Sequence, residues 1–177
     1  MSEATPSSAD SAESRSESPR RRAVNALWEK LKHADPGTLA ALRRSAGSEA
    51  ATVAFYRFAT GILEDHYENL PDQGEWRDLL DARWSVVVAA MASGKDFLAR
   101  ISLGRALAEA DVAEMRVLRL LEAGEAQLPE IVRTLVHQLV QKGQPFDPHD
   151  LADLVLEPES EWPRRRIARD FYRHQKN

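Results

Sequence analysis

The chain has 177 residues, of which 43% are hydrophobic and 29% are charged. This length and balance are typical of one soluble globular domain, and they exclude a largely disordered chain or one dominated by membrane spans. The chain contains no cysteine, which excludes disulfides, thiolate nucleophiles and cysteine-based zinc sites, and its formal net charge of −4 excludes a uniformly basic surface.

Residues 1–22 are predicted to form a disordered tail, because they are rich in Ser, Glu, Ala and Pro and offer almost nothing to bury. The tail ends in Arg20, Arg21 and Arg22, which are interpreted as a solvated basic run rather than a binding site. The N-terminus lacks the apolar core of a signal peptide, and no later segment has the long uncharged apolar run of a membrane span. We therefore expect a cytoplasmic protein without membrane association.

The folded domain is predicted to span residues 23–177 and to be all-α. Helical periodicity begins with Val24, Leu27, Trp28 and Leu31, which share one face of an amphipathic helix. Further helices are predicted between Asp35-Pro36 and Gly47, from Asp147-Pro148 onward, and over residues 49–63, 76–91, 129–142 and 160–174. The expected fold is a single-domain helical bundle of about eight or nine helices with short connections.

The segment SVVVAAM, residues 85–91, contains β-branched residues that are typical of strands. It lies within a longer 3.6-residue period, however, and lacks turn signals on its flanks. We therefore predict that it is buried helix.

The helix of residues 115–121 is predicted to begin with a capping box formed by Asp111 and Glu114. Its apolar stripe is assigned to Met115, Leu118 and Leu121. Gly124 is expected to end it.

No motif in the sequence indicates catalysis. There is no GxSxG, no phosphate-binding glycine loop and no HExxH, so the signatures of acyl transfer, phosphoryl transfer and zinc hydrolysis are missing. Asp147, His149, Asp150 and Asp153 have side chains that suit a metal, but a helix start explains them, with Asp147 as the cap and Pro148 in the first turn. We assign no catalytic residue, no metal and no cofactor.

Arginine recurs on successive predicted helices, and its planar guanidinium suits bidentate contacts with phosphate. Arg116 and Arg119 lie one turn apart on one helix face, so both are expected to point outward. Solvation or surface ion pairing is the alternative explanation for such arginines. Separate arginine patches would form a groove only if the fold brings them together.

The C-terminal helix is also basic, and it carries aromatic residues. It could contact nucleic acid or a protein partner. Cations near a helix C-terminus also complement the helix dipole, and Phe171 and Tyr172 are assigned to packing rather than to stacking on bases.

Several short segments occur in a distinctive order and spacing along the chain. They are LRRS at 42–45, AFYRF at 54–58, SLGRALAEA at 102–110, EMRVLRLLEA at 114–123, VRTLVHQLVQKGQPFDPHDLADLV at 132–155, and a closing W…FYRH. Together they resemble the small subunit, CasB, of the type I-E CRISPR Cascade complex. The resemblance covers roughly residues 28–172.

The resemblance implies a non-catalytic helical subunit, present in two copies in a ribonucleoprotein with other Cascade subunits, CRISPR RNA and target DNA. Base pairing reads the sequence in such complexes, so this subunit would hold backbones and help to stabilise the R-loop and its displaced strand in antiviral defence. Nucleic-acid-binding residues are carried over by position to Arg44, Lys95, Arg105, Arg116 and Arg133, with Arg43 and Arg119 as neighbours. Relatives can place further basic residues where this chain has Glu122 and Glu125.

Two other functions remain open at this stage. Residues 102–121 have two helices separated by a break at Ala110-Asp111, which is compatible with a helix-turn-helix transcriptional regulator. The break lacks the glycine often found in such turns, and helices extend far beyond a compact DNA-binding module. A helical enzyme with carboxylates drawn from distant positions is the third possibility.

Overall fold

A computed structural model of the chain describes residues 18–45, 52–66 and 74–175. The regular elements of these ranges are nine α-helices and one short 3₁₀ turn, which confirms the predicted all-α bundle. The helices are α1 Pro19–Lys32, α2 Pro36–Arg44, α3 Val53–His66, α4 Glu75–Ser93, α5 Leu103–Glu109, α6 Glu114–Glu122, α7 Leu128–Gln141, α8 Pro148–Leu156 and α9 Glu161–His174. The predicted tail up to residue 17, the stop at Gly47 and the start at residue 49 lie outside the described residues.

Helix α1 begins earlier than the apolar pattern predicted. Ser18 caps it by accepting a hydrogen bond from the Arg21 N–H, and Pro19 occupies its first turn. The arginines assigned to the tail therefore lie in the helix, which corrects that part of the prediction. The extra turn is stabilised from α8, because the Arg20 guanidinium donates to Asp153 at 2.9 Å and also contacts Glu157.

Helix α4 forms the centre of the bundle. Every residue from Trp84 to Ala92 is buried, and α2, α7 and α8 pack around it. This burial on all sides confirms that SVVVAAM is helix rather than strand. None of the helices that the structure describes has both the length and the apolar character needed to cross a bilayer.

Helices α5 and α9 approach each other most closely at Gly104. A Cβ added there would lie 2.2 Å from the Ile167 carbonyl oxygen and 2.9 Å from the Cβ of Asp170. Only a residue without a side chain allows the two backbones to come so close. Gly104 thus sets the depth at which α9 packs on α5.

The break between α5 and α6 differs from the predicted capping box. Asp111 has a φ of 50°, and the Val112 N–H donates to the Leu107 carbonyl at 3.0 Å, so Asp111 is the left-handed residue that ends α5. Helix α6 is capped by Ala113 without a side-chain hydrogen bond. Asp111 cannot cap α6 because it already closes the preceding helix.

The apolar stripe of α6 is also rotated from the predicted one. Val117 and Leu120 are buried, whereas Met115 is 65% exposed and the other two predicted stripe residues are only partly buried. The rotation arises because α6 packs between α7 and α9 and faces both.

The acidic residues of α8 have structural partners. Asp147 caps α8 by accepting from the His149 N–H at 2.9 Å. Asp150 accepts from the Leu103 N–H at 2.8 Å, which caps α5, and Arg166 of α9 donates to Asp150 at 2.5 Å. The predicted cap is therefore confirmed, and these carboxylates connect α8 with α5 and α9.

The segment after α4 is fixed to the chain just before α8. A 3₁₀ turn, Lys95–Phe97, leads into an isolated parallel bridge between Leu98 and Phe146. Phe146 donates to the Phe97 carbonyl and its own carbonyl accepts from the Ala99 N–H, both at 2.9 Å. These hydrogen bonds position the turn that carries Lys95.

Candidate nucleic-acid interface

The C-terminal end of α4 gathers residues from three parts of the chain. The last carbonyls of a helix have no partner within it, and Arg43 of α2 donates from Nε to one of them, that of Ala92, at 3.1 Å. Arg133 of α7 lines a groove beside Ser93. Lys95 follows in the 3₁₀ turn. Three predicted nucleic-acid residues thus lie around one helix end, which we call the α4 end.

A groove lies between α4 and α7. It is lined by Val86, Ala90, Ser93, Pro129, Val132, Arg133 and Val136. Arg133 is the one charged residue of this lining. The groove therefore offers a mostly apolar wall beside a single cation.

Arg133 is held in an ion pair on its own helix. Its guanidinium donates to the Glu130 carboxylate at 2.9 and 2.5 Å, while 53% of the Arg133 side chain remains exposed. The hydrogen bond from Arg133 lowers the pKa of Glu130, and the same bond raises the pKa of Arg133. Both groups are charged at neutral pH, so Glu130 competes with a phosphate for Arg133.

Arg105 on α5 has a similar partner. Its Nε donates to Glu109 at 2.7 Å, and Glu109 also accepts from the Gln144 amide at 2.9 Å. The Arg105 hydrogen bond lowers the pKa of Glu109. Glu109 and Glu130 are thus part of this surface although the arginine pattern did not identify them. Their spacing of four and three residues from an arginine is the signal that predicts such pairs.

Arg116 and Arg119 are both exposed on α6, which confirms their predicted outward orientation. Arg116 donates to the neutral side chain of Gln138 on α7 at 2.7 Å. Arg119, Arg44 and Lys95 make no hydrogen bond or ion pair with the residues that the structure describes. Within the described part of the chain, these cations have no ion pair that a phosphate would have to break.

The predicted residues form an extended set rather than one pocket. Arg133 lies near the start of α7, whereas Arg105 connects through Glu109 to Gln144, beyond the other end of α7. The eight helical steps from Arg133 to Gln141 correspond to about 12 Å of helix axis. A set of this length suits a polymer more than a small molecule.

Two arginines of the basic C-terminal helix are structural. Arg164 donates to the carbonyls of Leu121 and Ala123 at the end of α6, at 2.6 and 2.8 Å. Arg166 binds the α8 carboxylates of Asp150 and Asp153. Neither is free to bind a ligand without breaking these contacts.

The chain was compared with known families, curated proteins and solved structures. Residues 38–172 match the family model for CRISPR-associated protein Cse2 (CRISPR_cse2). No match is found among curated proteins. CasB from Thermus thermophilus shares 26% identity and a TM-score of 0.61, over 88% of this chain and 98% of that chain.

Two further structures have the same fold. M. ruber CasB shares 23% identity and a TM-score of 0.61, over 88% of this chain and 93% of that chain. A chain of E. coli Cascade, bound to a PAM-containing double-stranded DNA target, shares 21% identity and a TM-score of 0.62, over 85% of this chain and 94% of that chain. These comparisons do not favour the helix-turn-helix alternative. Since the family model covers most of its length, the chain belongs to the CRISPR-associated Cse2 family.

Proposed function

We propose that the protein is the small, non-catalytic subunit of a type I-E Cascade complex. In this role it contacts guide RNA and target DNA and stabilises the R-loop and its displaced strand. The observation that carries the proposal is the Cse2 match over residues 38–172. The fold shared with a chain of DNA-bound E. coli Cascade supports it.

The proposed mechanism is backbone binding by cations spread over several helices. The phosphate contacts are assigned to Arg43, Lys95 and Arg133 at the α4 end, Arg44 at the end of α2, Arg116 and Arg119 on α6, and Arg105 on α5. Charge-assisted contacts of this kind do not depend on base sequence, which is read by pairing with the guide RNA. Arg105 and Arg133 exchange Glu109 and Glu130 for phosphate, so their contribution is smaller than that of an unpaired cation.

The proposed partners are the other Cascade subunits, a second copy of this chain, CRISPR RNA and target DNA. This assembly implies a cytoplasmic location. As the resemblance to CasB implies, cleavage of DNA is left to another protein in this proposal.

Purification of the tagged protein from its native host tests the proposal. Bound proteins are identified by mass spectrometry, bound small RNA is sequenced, and native mass spectrometry counts the copies. We expect the other Cascade subunits, repeat-derived guide RNA and two copies of this chain. Recovery of a lone homodimer on specific duplex DNA would instead identify a regulator and refute the proposal.

A variant separates assembly from nucleic-acid binding. Arg43, Lys95 and Arg133 are replaced together by Ala, with Arg57→Ala on α3 as a control for loss of an exposed arginine. The triple variant should still recover the protein subunits, but its complex should bind target DNA more weakly. Equal DNA binding by the triple variant and the control would remove the α4 end from the site.

A further inference from the structure

The solvent-facing side of α9 combines aromatic and basic residues. Pro163, Ile167 and Phe171 are buried and define its inner side. At about 100° per residue, the opposite side is a stripe about 100° wide. We call this stripe the outer face of α9; it consists of Trp162, Arg165, Arg169, Tyr172 and Arg173, which are all exposed.

Trp162 is held in an exposed position. The indole ring is 59% exposed, and the Arg166 guanidinium lies 4.3 Å from its centroid. Arg166 is itself anchored by Asp150 and Asp153. One ring face is therefore covered by a fixed cation, and the opposite face is presented to solvent.

Tyr172 is held in a similar way at the other end of the stripe. It is 48% exposed, its hydroxyl donates to Glu114 of α6 at 2.6 Å, and its ring meets Phe171 edge-on with centroids 5.3 Å apart. Two large rings that are fixed but exposed lose little conformational freedom when a ligand stacks on them. The outer face is in this sense preorganised.

The charge of the outer face is positive. Arg169 and Arg173 make no hydrogen bond or ion pair within the part of the chain that the structure describes. Arg165 contacts Glu161 at 3.2 Å, but both side chains are more than 70% exposed, so this pair is weak. Three arginines against two acids, Glu161 at the edge and Glu114 beside Tyr172, leave a local excess of positive charge on a chain whose net charge is −4.

We propose that the outer face of α9 binds single-stranded nucleic acid. Trp162 and Tyr172 stack on bases, and Arg165, Arg169 and Arg173 contact the phosphates between them. Aromatic rings alternating with cations are the pattern that binds single strands without sequence preference, whereas the bases of a duplex are not available for stacking. The ten helical steps from Trp162 to Tyr172 span about 15 Å, which is room for several nucleotides.

This inference deepens the proposed function, on which it rests for its biological context. It adds a surface that is separate from the α4 end: α9 packs on α5, α6 and α8, whereas Arg43 and Arg133 lie on α2 and α7. An acidic protein surface would also attract the arginines. The two exposed and immobilised rings favour nucleic acid over that partner.

Binding of a fluorescein-labelled oligothymidine of about 20 nucleotides to the full-length protein tests the inference. Fluorescence anisotropy is measured over a series of salt concentrations. Trp162→Ala should weaken binding roughly five- to hundredfold while leaving the salt slope unchanged, because stacking releases no counterions. Arg169→Ala should weaken binding and reduce the slope by about 0.7.

Arg57→Ala is the matched control, since Arg57 is exposed on α3, which contributes no residue to either surface. It should bind as the wild type does, and thermal unfolding verifies that all variants fold. Three results would overturn the inference. The wild type does not bind the oligonucleotide, or Trp162→Ala binds it as well as the control does. In the third, the variants still bind the oligonucleotide normally and lose only their assembly with other subunits. The last result would identify a protein-docking face. None of them affects recovery of the wild-type protein with guide RNA, so failure of the proposed function is detected separately.

Discussion

Arg164 of α9 donates a 2.6 Å hydrogen bond to the carbonyl oxygen of Leu121 in the last turn of α6. The same guanidinium reaches Ala123 just beyond that turn and Pro158 before α9, at 2.8 and 2.9 Å. A cation that binds the free carbonyls of a helix C-terminus also complements the helix dipole. One partly buried arginine thus fixes the end of the helix that presents Arg116 and Arg119.

Replacing Arg164 by Ala should lower the free energy of unfolding by about 2–3 kcal/mol, because several carbonyls would lose a charged donor. Urea denaturation measures this change. Arg165→Ala is the matched control, since its side chain is exposed and its ion pair is weak, and it should stay within about 0.5 kcal/mol of the wild type. Equal effects of the two substitutions would contradict the capping role.

Replacing Gly104 by Ala should lower the free energy of unfolding by about 2–4 kcal/mol, because the new Cβ meets backbone rather than a flexible side chain. Gly61→Ala on α3 is the control. A Cβ there has no neighbour within 4 Å, so the change should stabilise the protein by about 0.5–1 kcal/mol through helix propensity alone. Thermal and urea unfolding of both variants tests the difference in sign.

Replacing Arg105, Arg116 or Arg133 by Ala should weaken binding of the complex to target DNA. The salt slope should fall by roughly 0.7–0.9 for each phosphate contact that is lost. Affinity measured over a range of salt concentrations checks this, with Arg57→Ala as the control. Unchanged affinity and slope in all three variants would refute the assignment.

Replacing Glu130 by Gln should have the opposite effect on DNA binding. The variant frees Arg133 from a carboxylate that phosphate would otherwise displace, so affinity should rise by roughly two- to tenfold at low salt. Glu29→Gln is the control, because Glu29 pairs with Lys32 on α1, which carries none of the predicted site residues. If both variants bind alike, Arg133 does not exchange its partner for phosphate.

The pH dependence of stability should reveal the buried carboxyl of Asp150. Burial raises the pKa of Asp150, and the Leu103 N–H and the Arg166 charge offset this only in part. A group whose pKa is higher in the folded state takes up a proton on folding, so its contribution to stability falls as pH rises above 3.8, the ordinary value. The difference in free energy of unfolding between the wild type and Asp150→Asn should therefore be larger at about pH 4 than at about pH 7.

Asp35 provides a control of opposite sign for this experiment. Hydrogen bonds from Thr38 lower the pKa of Asp35, so its contribution is present above 3.8 and is lost as pH falls. The difference between the wild type and Asp35→Asn should shrink toward low pH. The same trend in both variants would mean that burial does not control the pKa of Asp150.

Local sequence signals predicted most of the helices because they act within a few residues. Asp35 and Asp147 cap the helices that begin at the prolines after them, as predicted, and the outward direction of Arg116 follows from the helical period. Asp111 shows where such signals fail. The same Asp is an acceptable cap for α6 or an acceptable left-handed end for α5, and the hydrogen bond from Val112 to Leu107 decides between them.

The grouping of the predicted site residues depends on tertiary packing. Arg43 contacts the carbonyl of a residue 49 positions away, and no pattern in either segment encodes that contact. These residues were assigned individually from the resemblance to CasB, which does not indicate their hydrogen-bond or ion-pair partners. Their roles in nucleic-acid binding remain predictions for the experiments above.

The bridge between Leu98 and Phe146 has a consequence for the order of folding on the ribosome. The turn that carries Lys95 is held by backbone groups almost fifty residues later in the chain, and the Asp147 N–H adds a further hydrogen bond, to the Ile101 carbonyl, at 2.7 Å. These hydrogen bonds cannot form until residue 147 has been synthesised. Contacts of such high sequence separation form late in folding, because the loop between them must first be closed. The nascent chain therefore completes the α4 end only after most of its helices have been made, and a truncated product lacks a finished site.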